Sequence, residues 1–118
     1  MANPVKQNFK IKANGYWTQV WQIKNGDVPF DITGYNFELE IKKNRGFTSP
    51  KFLNLTVGDG ITVEDAQTGK IKIEIPPQNS VVGSVTYVYD LIAIKDGKPY
   101  VWIEGEMTFE AGVSYVGG

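Results

Sequence analysis

The stretch from Tyr16 to Lys43 constrains this chain most. From Phe37 onward it alternates without a break: Phe37, Leu39 and Ile41 point one way, Glu38, Glu40 and Lys42 the other. Such alternation specifies a β-strand with one buried and one wet face. Upstream, Trp17, Trp21 and Ile23 share one parity, and aromatic and β-branched residues suit a pleated, half-buried surface. Between the two patterns, Asn25-Gly26-Asp27 supplies a tight turn. Pro29 marks a strand start or edge, and Asp31-Ile32-Thr33-Gly34 forms a second turn, in which the Asp side chain can bond the backbone two residues on.

The same pattern recurs along the chain. Phe9 and Ile11 alternate with Lys10 and Lys12. Phe52, Leu53 and Leu55 resume a strand, and Ile61 and Val63 form a brief one. Ile71, Ile73 and Ile75 alternate with Lys70, Lys72 and Glu74 until Pro76-Pro77 ends the ladder. Gln78–Val82 has room for a single helical turn. Ser84–Lys95 carries apolar residues on both parities, the mark of a central strand, and Asp96-Gly97 is a two-residue hairpin signal. In the last strand, Val101, Ile103, Met107 and Phe109 are expected to face in, with Trp102, Glu104, Glu106 and Thr108 facing out. Seven or eight short strands with regular turn signals imply an all-β fold, an antiparallel sandwich with at most one short helical turn. At 118 residues the chain is one domain, 1–118, with a flexible N-terminal arm over about 1–7 and a C-terminal tail over about 112–118.

Composition narrows the chemistry. The chain has no Cys and no His, which removes disulfides, thiolate metal sites, the commonest general base and the commonest transition-metal ligand. We therefore expect no enzyme, no catalytic residues, no metal and no cofactor. The net charge is −1 with no basic stripe, so nucleic acid is not an expected partner. No apolar run is long enough to span a bilayer, and the first residues do not form a signal peptide, so we expect no membrane partner and synthesis in a cytoplasm. Glu38 with Glu40, and Glu104 with Glu106, share strand faces as paired carboxylates do in glycosidases. Acidic residues alternating with apolar ones are more simply the solvated side of a sheet. Asp59 and Asp65 fit turns and match no calcium-loop spacing.

The candidate contact residues are aromatic or sit in loops. On the alternation above Trp102 points to water, where a Trp often marks a contact surface unless a loop or the N-terminal arm covers it. Arg45 and Phe47 lie in the polar loop Asn44–Pro50, Tyr100 precedes Trp102, and Tyr115 is the one large side chain of the tail. These five are the expected interface. Trp102, Tyr100 and Phe47 could alternatively form a sugar-stacking platform.

The order of the motifs resembles a family of small phage virion domains. Trp21-Gln22-Ile23-Lys24-Asn25-Gly26-Asp27-Val28-Pro29-Phe30-Asp31-Ile32-Thr33-Gly34-Tyr35 resembles that family's strand, polar turn and "P-[IF]-D-[LI]-T-G-Y" pattern. Gly60-Ile61-Thr62-Val63, Thr68-Gly69-Lys70-Ile71, Ile75-Pro76, Tyr87-Val88-Tyr89-Asp90-Leu91 and Ile103-Glu104-Gly105-Glu106-Met107-Thr108 follow in matching order. The chain is similar to the N-terminal domain of siphophage baseplate upper proteins and related short tail and fibre-attachment proteins. The resemblance implies an Ig-like sandwich that serves as an assembly or adaptor module of tail, baseplate or fibre. It implies other virion proteins as partners, a homo- or hetero-oligomer, and a location in the virion after assembly in the host cytoplasm. It brings no catalytic residues. The alternative is a carbohydrate-binding or capsid-decoration module, with a surface glycan as its ligand. Long family members continue into a receptor-binding region, whereas this chain stops after the sandwich. On this reading both termini are expected to serve assembly and to be dispensable for stability.

Overall fold

The computed structural model describes residues 5–46 and 48–112. Its strands, in chain order, are β1 (Val5–Lys6), β2 (Phe9–Lys12), β3 (Trp17–Gln22), β4 (Lys24–Asn25), β5 (Val28–Pro29), β6 (Asn36–Lys42), β7 (Lys51–Val57), β8 (Gly60–Asp65), β9 (Lys70–Ile75), β10 (Ser84–Lys95) and β11 (Lys98–Glu110). No helix occurs among the described residues. The segment expected to make a helical turn closes one bond, from the Val81 amide to the Gln78 carbonyl at 3.2 Å.

Nine strands form one curled sheet in the order β1-β11-β10-β6-β7-β8-β9-β3, with β2 also on β11, while β4 and β5 form a separate small hairpin. The sheet is mixed rather than antiparallel throughout: β1 and β2 run parallel to β11, and β7 meets β8 in a short parallel bridge. The strand count exceeds the expected seven or eight for local reasons. The N-terminal segment splits into two strands at Gln7-Asn8, and the Gly26 turn, with φ 64°, folds Lys24–Pro29 into its own hairpin.

The alternation read from the sequence places the core. On β10 and β6, Leu91 lies opposite Leu39, Tyr89 opposite Ile41 and Ala93 opposite Phe37. On β9, Ile71 and Ile73 lie opposite Trp21 and Gln19 of β3 on one side and Val63 and Ile61 of β8 on the other. Curling brings these inner faces together, so Leu39, Ile41, Ile71, Ile73, Leu91, Met107 and Phe109 lose all contact with water. Each large aliphatic side chain so removed contributes about 1.5–3 kcal/mol. No polar or charged residue is buried among the described residues. The Asp96-Gly97 turn takes positive φ at both positions, 54° and 75°, the backbone twist that a two-residue hairpin between right-twisted strands requires.

Two expectations meet a different geometry. The first concerns β11. Leu91 pairs with Ile103 but Ile92 pairs with Val101, which leaves Trp102 as an extra residue in a β-bulge. A bulge lets two consecutive side chains reach the same side. Trp102 and Ile103 both point inward, each 5% exposed, and Val101, expected to face in, is exposed instead. The second concerns the N-terminus. Residues 1–4 lie outside the described residues, but Val5 and Lys6 pair with Ile103 and Glu104, and the Gln7 amide donates to the Glu104 carbonyl at 2.9 Å. Residues 5–7 are part of the sheet rather than an arm. The tail expected from about 112 lies outside the described residues beyond Gly112.

Gly105 permits that pairing. A Cβ at this position would overlap the Gln7 carbonyl. Gly105→Ala is therefore expected to lift Val5–Gln7 off β11. Calorimetry should show a lower Tm than wild type, by a margin equal to that of a variant lacking residues 1–7; a variant lacking only 1–4 should melt like wild type.

Candidate functional site

The side chains brought together by the fold gather around Gln7. Its backbone carbonyl accepts the Tyr89 hydroxyl at 2.8 Å, and its side-chain Oε1 accepts the Trp21 Nε1–H at 3.0 Å. Trp21 and Tyr89 stack with ring centroids 6.1 Å apart and planes 12° from parallel, and Phe9 closes the cluster against both. Next to it, the Glu106 amide donates to Asn8 Oδ1 at 2.9 Å. Burial pushes the Tyr89 phenol far above its usual range, an effect partly opposed by the cationic Arg45 nearby. The phenol stays protonated and keeps donating.

Beside this tether runs an open groove of about 530 Å³. One wall is β3 from Gln19 to Gln22, continuing through Ile23 to Gly26; the other is Val5, Gln7 and Ile103. The groove lies between β1 and β3, the two ends of the sheet order. Val20 is 50% exposed at its rim.

Of the five residues expected to form an interface, Arg45, Tyr100 and Trp102 lie among the described residues. Trp102 is buried against Tyr35, Phe30 and Phe37, at centroid distances of 4.9, 5.4 and 6.0 Å. The bulge turns it inward, so it cannot serve as an exposed platform. Tyr100 is 46% exposed on the same strand. Arg45 reaches back over the outer face of the sheet. Its Nη1 sits 3.0 Å from Asp90 Oδ1 and 3.9 Å from Glu104 Oε1, and its Nη2 donates to the Gly105 carbonyl at 3.3 Å. A half-exposed ion pair of this kind contributes about 0–1 kcal/mol, so it orders the loop weakly. Phe47 and Tyr115 lie outside the described residues.

The carboxylates sit in solvated ladders. Lys51 lies 3.8 Å from both Glu38 and Glu40, and Lys72 lies 3.6 Å from Glu64 and 3.7 Å from Glu74. Asp31 holds its turn as the sequence implies: the Thr33 hydroxyl and amide, at 2.6 and 2.9 Å, keep its carboxyl below the usual range. Among the described residues, no group of three or more acidic side chains is placed to hold a metal ion, and no helix is long and apolar enough to cross a membrane.

These features define an all-β domain built on one curled, mixed sheet that is tied at its N-terminal strand and open beside β3. The same fold is found in the N-terminal domain of phage TP901-1 ORF48, with TM-score 0.50 and 12% sequence identity over 93% of this chain and 90% of that one. The NK cell receptor Nkp44 is a more distant structural match, with TM-score 0.44 and 9% identity over 94% of this chain and 100% of that one. No family model and no curated protein sequence matches the chain.

Sequence reasoning missed the Gln7 tether. Gln7 looks like an arm residue because its three hydrogen bonds reach partners 14, 82 and 97 positions away. Tyr89 tests the tether through pH. A phenol whose folded pKa is raised contributes stability that is complete below its unfolded pKa of about 10 and is lost as pH rises above that value. Tyr89→Phe removes the donor to the Gln7 carbonyl and is expected to cost about 0.5–1.5 kcal/mol at neutral pH. In urea titrations from pH 9 to 12, the gap between wild type and variant should shrink above pH 10 by about 1.4 kcal/mol per unit; a constant gap would show that the hydroxyl is not buried in this bond.

Proposed function

We propose that this chain is a non-enzymatic structural domain of a phage particle, an assembly or adaptor module of its tail, baseplate or fibre attachment. The observation that carries this reading is the shared fold with the N-terminal domain of phage TP901-1 ORF48 over 93% of the chain. Its support is the motif order from Trp21 to Thr108, which resembles the same class of virion domain. An Ig-like division of the sheet fits as well: β11, β10, β6 and β7 form one side, and β8, β9 and β3 the other. Among the described residues, the strand pairing that connects the two sides is the short bridge of Thr56 and Val57 with Gly60 and Ile61.

The physical features agree with a building block. Many of the acidic side chains form ion pairs at the surface, and the aromatic side chains lie largely in or against the core. The partners on this reading are other virion proteins, met after synthesis in the host cytoplasm, with Tyr100 and the Arg45 loop among the contacting surfaces. The carbohydrate-binding alternative loses its central residue, because Trp102 is buried.

Purified particles from cells producing the phage that encodes this chain provide the test. Quantitative mass spectrometry should find the chain at a fixed ratio to the tail proteins, and light scattering of the isolated chain should give a defined mass. Recovery of the chain only in the particle-free lysate would overturn the assignment.

A further inference from the structure

β3 differs from every other strand in a way that matters at an edge. It pairs with β9 on one side, and no strand among those described pairs with its other side. Its sequence, Trp17-Thr18-Gln19-Val20-Trp21-Gln22, has neither a charged residue nor a proline; each of the other strands described has one or the other. Folded proteins protect free edges with Lys, Pro or bulges, because an unprotected edge recruits strands. The β1–β2 end of this sheet follows that rule with Lys6, Lys10 and Lys12. β3 does not.

The backbone groups on this edge can be assigned. The Ile23 amide donates to the Gly69 carbonyl at 2.8 Å, one step beyond the Gln22–Lys70 pair. Backbone direction alternates along a strand, so Gln19 and Trp21 face β9, while Thr18, Val20 and Gln22 present N–H and C=O to the open side. The Val20 carbonyl accepts the Gln19 Nε2–H at 3.3 Å, an exposed bond that an incoming strand would displace. The groove alongside is walled by Val5 and Ile103, holds one cation, Lys24, and has no acidic residue in its lining.

We propose that the free edge of β3 is the docking site for an extended segment of a partner protein, which adds a strand between β3 and β1. The segment is about six residues long, to match β3. It alternates apolar side chains toward Trp21, Ile103 and Val5, and it carries no positive charge, since Lys24 would repel one while attracting a carboxylate. Strand addition of this kind draws affinity from main-chain hydrogen bonds and specificity from alternate side chains. The inference rests on the virion reading above, which supplies the class of partner.

Two variants of the whole chain test it. Val20→Lys places a charge at the edge, and Val20→Pro deletes an amide that β9 does not use. Val57→Lys, at an exposed position on β7, serves as control. In the isolated wild type, amide exchange followed by NMR should be fast at Thr18, Val20 and Gln22 and slow at Gln19 and Trp21. Val20→Lys should melt like wild type yet be depleted about tenfold from purified particles, as expected for a loss near 1.4 kcal/mol in docking; Val57→Lys should be incorporated normally. If Val20→Pro fails to fold, the Lys variant decides. Protection of the three edge amides at every protein concentration would overturn the proposal in favour of a segment of the chain itself. Protection that grows with concentration would overturn it in favour of a second copy. Folded Val20→Lys present in particles at the wild-type amount would overturn docking while leaving the virion reading intact, whereas wild type missing from particles would overturn both.

Discussion

One residue near the start of the chain closes this fold. The Gln7 amide binds β11, its carbonyl takes the Tyr89 hydroxyl from β10, and its side-chain amide takes the indole N–H of Trp21 from β3. β3 and the distant β10–β11 hairpin are thereby referenced to a single point. The approach is possible because Gly105 has no Cβ to meet the Gln7 carbonyl. The aromatic cluster of Phe9, Trp21 and Tyr89 packs beside these bonds. A hydrogen bond to a buried partner is costly to lose because the abandoned group cannot be solvated. The tether therefore fixes the separation of the two sheet ends as well as holding β1.

That separation gives the open groove its shape. Most of the exterior is managed by interleaved Lys and Glu, whose half-exposed pairs contribute little individually but make the surface unreceptive to foreign strands. β3 lacks this protection along its full length. Its Trp side chains serve the core, and its polar positions are Thr and Gln, which tolerate both water and a neighbouring strand. The distribution of charge thus separates a sealed surface from a receptive one more sharply than total exposed apolar area does.

The strands carried by strict alternation were legible in the sequence. Phe37–Lys42, Lys70–Ile75 and the Asp96-Gly97 hairpin appear where their patterns place them, and the Asp31 turn forms its expected bonds to Thr33. What could not be read was whatever depends on counting across strands. The bulge at Trp102 arises from pairing with Leu91 and Ile92 and has no signature in a single strand, so the inward and outward sides of β11 were exchanged at its start. The parallel placement of β1 and β2 on β11 was hidden for a similar reason, since two residues of strand carry no periodicity. The absence of charge in β3 was visible throughout, but it acquires meaning only once the topology shows β3 to be an edge.

The parallel pairing of β1 and β2 with β11 also orders events in time. Val5 contacts Ile103, and Asn8 accepts a bond from Glu106, 98 positions later. Contacts of such separation close late, because loop entropy must be overcome before they reward the chain. On a ribosome, β1 and β2 emerge well before β11 and have no partner strand until it is made. During that interval Phe9 and Trp21 remain without the contacts that Gln7 and Tyr89 later provide. β11 is thus the template on which β1 and β2 are laid, and their pairing waits for its synthesis.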